Sequence, residues 1–118
     1  MSVDQLTVEA KLHELATETD PEFVQDVVNE FLTTAPAQVT EIQDALNRED
    51  LAKAGRAAHS LKANCATFGL AGLANTLQQL ESSCRNRLLA EASMHLIEIK
   101  TSYALSRPVL TDVLARIR

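Results

Sequence analysis

A chain of 118 residues is long enough for one domain with its own hydrophobic core. Its formal charge of −5, the lack of any basic run and the presence of only three Phe and one Tyr exclude a nucleic-acid binder built on phosphate contacts or base stacking. No apolar run reaches membrane-spanning length, and the start "MSVDQLTVEA" has no basic segment leading into an apolar one, so a cytoplasmic protein with no membrane segment is expected.

Three Gly and three Pro supply little turn chemistry, and Ala and Leu dominate the apolar set, so the elements should be few, long and helical. A first helix over about residues 4–17 carries Leu6, Ala10, Leu12 and Leu15 and reads as a short outer cap. The second opens at "TDPEF", with Asp20 as N-cap and Pro21 at the first helical position, where its missing N–H is no loss. Its apolar stripe, Val24, Val28, Phe31, Ala35, Val39, Ile42 and Leu46, keeps phase through Pro36, which predicts one long helix to about residue 47, kinked near the proline. Asn47 is placed to cap the third helix, with Asp50 in its first turn, and Gly69 to end it in a left-handed conformation.

The fourth helix reads from about Leu70 to Cys84, with Leu70, Leu73, Leu77 and Leu80 on one face and "SSCRN" breaking it. The fifth starts near Leu88 and carries Leu89, Ala92, Leu96, Ile99, Tyr103, Leu110, Val113 and Ile117, in phase across Pro108. Short connections force antiparallel neighbours. The expectation is therefore all-α: an up-down four-helix bundle over 18–118 with the helix of 1–17 packed across it, one domain in all. Cys65 and Cys84 match no zinc spacing and read as reduced thiols.

On a wheel of the third helix at about 100° per residue, Ala54, Ala57, Ala58, Leu61, Cys65 and Phe68 share the core face and His59 points away from it. Arg56 and Lys62 lie three residues either side of His59, and Ala52, Gly55, Ala63 and Ala66 complete the outer strip. A solvated helix face normally carries long charged side chains, and Gly55 costs on the order of 1 kcal/mol against Ala. Small residues round an exposed imidazole suit the close approach of another molecule. Neutral imidazole has a ring nitrogen free to attack phosphorus, and two cations suit the phosphoryl oxygens. The chain has no glycine-rich phosphate loop, so the phosphoryl group must come from another protein.

"AHSLKANCATFG" resembles the signature of histidine-containing phosphotransfer (Hpt) domains at Ala58, His59, Leu61, Lys62, Phe68 and Gly69. "DPEFVQDVVNEFLTTAPAQVTEIQDAL" and "LAGLANTLQQLE" resemble the flanking helices, and the resemblance covers about residues 18–106. It implies that His59 is phosphorylated through Nε2 and that Lys62 stabilises the phosphohistidine. Arg56, Gly55, Ala63 and Ala66 would meet the partner, and Glu81 stands where relatives carry Gln or Glu near the histidine. The family glycine after the lysine is Ala63 here, followed by Asn64. The implied partners are receiver domains of response regulators and hybrid kinases, which hold the magnesium, so the chain itself needs no cofactor or metal. It would take the phosphoryl group from one receiver aspartate, pass it to another, and act as a monomer without kinase machinery. The start "MSVDQL" suggests a free-standing protein.

Two other readings stay open. In the first, a helical adaptor binds receivers or other partners without transfer. In the second, the bundle binds metal, but Glu9-x-x-x-His13 and Glu91-x-x-x-His95 have the wrong spacing for a di-iron site, so His13 and His95 read as surface or boundary residues.

Overall fold

The computed structural model describes residues 3–117, so the outermost residues of the expected 1–118 domain lie outside the described part. Five helices form: α1 (Gln5–Glu18), α2 (Pro21–Asn47), α3 (Leu51–Thr67), α4 (Ala71–Arg85) and α5 (Leu89–Arg116), with no strand among the described residues. Asp4 starts α1 by accepting from the backbone N–H groups of Leu6 and Thr7, and Asp20 starts α2 by accepting from that of Phe23 at 2.8 Å. Both long helices run unbroken through their prolines, Pro36 and Pro108, because the apolar stripes keep phase across them. At about 1.5 Å per residue, the 27 residues of α2 and 28 of α5 account for the 44 Å long axis of the molecule.

Helices α2 to α5 close a four-membered ring in which each packs on its sequence neighbour and α5 packs on α2. The polar ties between α2 and α5 record their antiparallel sense. Gln25 donates to the Ile117 carbonyl at 3.1 Å near one end, and Lys100 donates to Gln43 at 2.7 Å near the other. The core between them holds Val24, Val28, Phe31, Ile42, Leu61, Leu77, Leu80, Leu96, Ile99 and Leu110. Where α3 ends, Phe31 meets Phe68 and Tyr103 edge-on, with ring centroids 5.3 and 6.1 Å apart.

Three turns of one design join the ring, each closed by the paired backbone hydrogen bonds of a Schellman motif. In the α3–α4 turn Gly69 takes the left-handed position at φ +78°, as expected. In the α2–α3 and α4–α5 turns that position falls to Glu49 (φ 57°) and Arg87 (φ 60°). One expectation is corrected here. Asn47 is the last residue of α2, and Asp50 is the N-cap of α3, accepting from the backbone N–H of Lys53 at 3.1 Å. The expected end of α4 holds to within one residue: the helix stops at Arg85, inside "SSCRN", with Asn86 as its C-cap and with Ser83 and Cys84 facing the interior.

The outer helix also departs from its expected stripe. Val8 and Leu12 are buried, with Leu15 and Ala16 packed against the core, whereas Leu6 is 77 % exposed and Ala10 is exposed. The contact face is thus i, i+4, i+7, i+8 from Val8. Helix α1 packs on α2 and α5 and also covers the α3–α4 turn, where a Cβ on Gly69 would meet the Thr7 carbonyl oxygen at 3.0 Å. Both cysteines are free and buried, and burial pushes the Cys65 thiol up to about 12, which leaves it unreactive.

Candidate functional site

The helical wheel of α3 holds in three dimensions. Ala54, Ala58, Leu61 and Cys65 are fully buried, and the His59 side chain on the opposite face is 65 % exposed. Arg56, Ala63 and Ala66 are exposed beside it and Lys62 is half-buried. Gly55 is half-buried at the seam with α4, where an added Cβ would lie 3.4 Å from the Cys84 Cβ, an ordinary contact. An alanine would therefore fit against α4, and the packing of the two helices does not by itself require glycine there.

Helix α4 brings Glu81 to the histidine across 22 positions of sequence. One carboxylate oxygen lies 3.0 Å from His59 Nδ1 and the other accepts from Lys62 Nζ at 2.7 Å. Gln78, one turn earlier on the same face of α4, accepts from Lys62 Nζ at 2.6 Å. The four side chains form one line, Gln78, Lys62, Glu81, His59, laid across the α3–α4 seam. Sequence reasoning found three of them and missed Gln78. Its one signal is the three-residue spacing to Glu81.

Burial would raise the Glu81 carboxyl, but the hydrogen bond and charge of Lys62, followed by those of His59, outweigh it and hold the group below the ordinary glutamate range. Glu81 is therefore an anion at neutral pH and only accepts hydrogen bonds. It follows that the proton of neutral His59 sits on Nδ1, donated to Glu81, and the lone pair sits on Nε2. Two of the three Lys62 ammonium protons are used on α4, which leaves one for an anion at the histidine. The arrangement presents a nucleophilic nitrogen with a fixed tautomer, flanked by a tethered cation and, one turn away, by Arg56.

Beside His59, between the first half of α3 and the end of α4, lies a groove of about 740 Å³. Leu51, Ala52, Gly55 and Cys84 line it together with Arg56, Arg85 and Arg87. The last two were not expected as site residues. Arg87 reaches the groove from the left-handed position (φ 60°) of the turn after α4. No helix of the described residues is long and apolar enough to cross a membrane.

The profile of the Hpt domain family matches residues 26–118. No curated protein matches the chain. Among solved structures it is similar to histidine-containing phosphotransfer protein B (HptB) from Pseudomonas aeruginosa PAO1, with a TM-score of 0.81 and 23 % identity over 98 % of this chain and 96 % of that one, a likeness of fold. Proteins of the family carry phosphoryl groups rather than acting as kinases, and they interact with receiver domains. A match over most of its length, to a helical bundle with an exposed histidine, places this chain in the Hpt domain family, as a histidine phosphotransfer intermediate of a phosphorelay.

Proposed function

We propose that His59 is the phosphoacceptor. The observation that carries this is the Glu81–Nδ1 hydrogen bond, which fixes the tautomer and leaves the Nε2 lone pair on an exposed ring. In the forward step Nε2 bonds to the phosphorus of a receiver's aspartyl phosphate as the P–O bond breaks and the carboxylate leaves. The imidazole becomes an Nδ1-protonated cation bearing the phosphoryl group, so no proton has to move in either direction. Glu81, facing that cation, is a positioning residue. Lys62 meets the incoming phosphoryl oxygens with its remaining N–H, and Gln78 with Glu81 fixes where the ammonium points.

Arg56, Ala63, Ala66 and Gly55 form the surface that the receiver meets, the small residues allowing close approach. Both the magnesium and the phosphoryl source belong to the receiver. The chain works as a monomeric single-domain carrier in the cytoplasm, with no ATP chemistry of its own.

The test is transfer of labelled phosphate from phosphorylated receivers to the wild-type chain and to His59→Gln. The wild type should take up label and the variant none, with unchanged helical content. Equal labelling of both would place the acceptor elsewhere. Labelling of neither across a receiver panel, with binding retained, would favour the adaptor.

A further inference from the structure

The groove beside His59 is unusual in charge for this chain. Acidic residues outnumber basic ones sixteen to eleven overall, yet three arginines and one carboxylate line this groove. That carboxylate, Glu81, is already committed to Lys62 and His59. Among the described residues none of Arg56, Arg85 and Arg87 has an ion pair. The groove on the other flank of α3 differs: there Arg48 and Lys53 share the walls with Glu41, Asp44 and Asp50. The uncompensated positive charge is thus confined to one side of α3, the side continuous with the histidine. Its floor of Leu51, Ala52, Gly55 and Cys84 is small and apolar, so the guanidinium groups stand at the rim over a surface a partner can press against.

Resting on the phosphoacceptor reading of His59, we propose that Arg85 and Arg87, with Arg56, form a charge selector for the receiver domain. A receiver carrying carboxylates on the surface beside its phosphorylated aspartate seats them on this rim, and the match decides which receivers exchange phosphoryl groups with His59. Guanidinium groups suit the task because they present planar forks that hold carboxylates in two-point contact. Unpaired cations beside a docking site also raise the encounter rate with an acidic partner, and this effect weakens with salt. The two arginines lie beyond the reacting atoms, at the end of α4 and in the turn after it, so they act on docking.

The decisive experiment compares the wild type with Arg85→Glu/Arg87→Glu in phosphotransfer from a panel of phosphorylated receivers, at low and high salt. Both side chains are exposed, and a thermal melt verifies the fold of the variant. Arg85→Lys/Arg87→Lys supplies the control in which charge is kept and the planar fork is lost. For the receivers that the wild type prefers, reversal should raise KM on the order of tenfold at low salt, with a smaller change in kcat. It should also flatten the salt dependence and move the ranking toward receivers with fewer acidic residues at that surface, and the lysine variant should recover most of the loss. If the reversed variant keeps the wild-type ranking and salt dependence, the selector is refuted and His59 as acceptor stands. If the wild type itself accepts label from no receiver, the acceptor reading fails and takes the selector with it.

Discussion

The two faces of α3 answer to different physics. The inner face, with Ala54, Ala58, Leu61 and Cys65 all fully buried, is governed by volume. Small residues there let α3 sit close to its neighbours, and Leu61 fills the remaining space. The outer face, with Arg56, His59 and Lys62, is governed by charge and by which nitrogen holds a proton. One helix serves both because residues within each turn point to opposite sides and successive turns repeat the two faces, so a change on one face should leave the other's property intact. Glu81 and Lys62 form the join: half-buried at the seam, they belong to the packing of α3 on α4 and to the electrostatics of the site.

The largest effect that separates the faces comes from Leu61. Leu61→Ala should cost about 2–5 kcal/mol, a large part of the roughly 5–15 kcal/mol that holds a domain together. Urea unfolding measures it, and transfer per folded molecule should persist. His59→Gln should do the reverse, abolishing label uptake while moving the unfolding free energy by less than about 0.5 kcal/mol. A strongly destabilised His59→Gln would show that the histidine is part of the packing and erase the distinction.

Gly69 comes next, at the junction of α3, α4 and α1. Alanine there meets two penalties: the left-handed backbone at φ +78°, and a Cβ 3.0 Å from both the Thr7 carbonyl oxygen and Lys11 Cγ. Gly69→Ala should destabilise by about 1–3 kcal/mol. Loss of α1 docking should appear as faster amide exchange in α1 than in α5. Uniform exchange would mean that α1 adds little to the fold.

Glu81 is read through pH. Its carboxyl is held below the ordinary glutamate range when folded, so its ionisation favours folding. That contribution is complete above the unfolded value and is lost as pH falls through the depressed folded one. The melting temperature of the wild type should therefore fall more steeply through the acid range than that of Glu81→Gln, and the variant should be the less stable at neutral pH. Parallel profiles would show that Lys62 and His59 do not stabilise the anion.

Much of this was legible in the sequence because it depends on local periodicity. The stripes of α2 and α5 crossed their prolines in phase, Asp20 and Pro21 marked a helix start, and the wheel put His59 outside. What escaped depends on how helices rotate against each other or on small polar groups that look like loop residues. Glu81 was placed near His59 only by the family resemblance; its 3.0 Å contact joins residues 22 apart, and local periodicity says nothing of it because the packing of α3 on α4 makes it. Gln78 and the groove arginines follow from the same packing. Ser106 leaves a gap in the apolar stripe of α5, yet it is buried because its hydroxyl donates to the Ser102 carbonyl at 2.8 Å. Val8 took the place expected of Leu6 because α1 touches the bundle over so short a face that nothing local chose between them.

The smallest predicted effect lies in the turns, and it sharpens the contrast between packing and charge. Glycine fills the left-handed position only where α1 lies against it, at Gly69, and in the other two turns Glu49 and Arg87 stand there. A left-handed residue with a side chain costs roughly 1–2 kcal/mol, and glycine returns part of that gain through its looser unfolded chain. Glu49→Gly should thus stabilise by less than about 1 kcal/mol, seen as a small rise in the urea midpoint with transfer unchanged, since Glu49 neither lines the groove nor bonds to His59, Lys62, Gln78 or Glu81. Arg87→Gly should give the same rise, because the backbone term is the same, but it also removes a cation from the groove. If both variants gain stability and only the second loses receiver discrimination, the strained conformation of Arg87 is one the fold tolerates for the charge it positions.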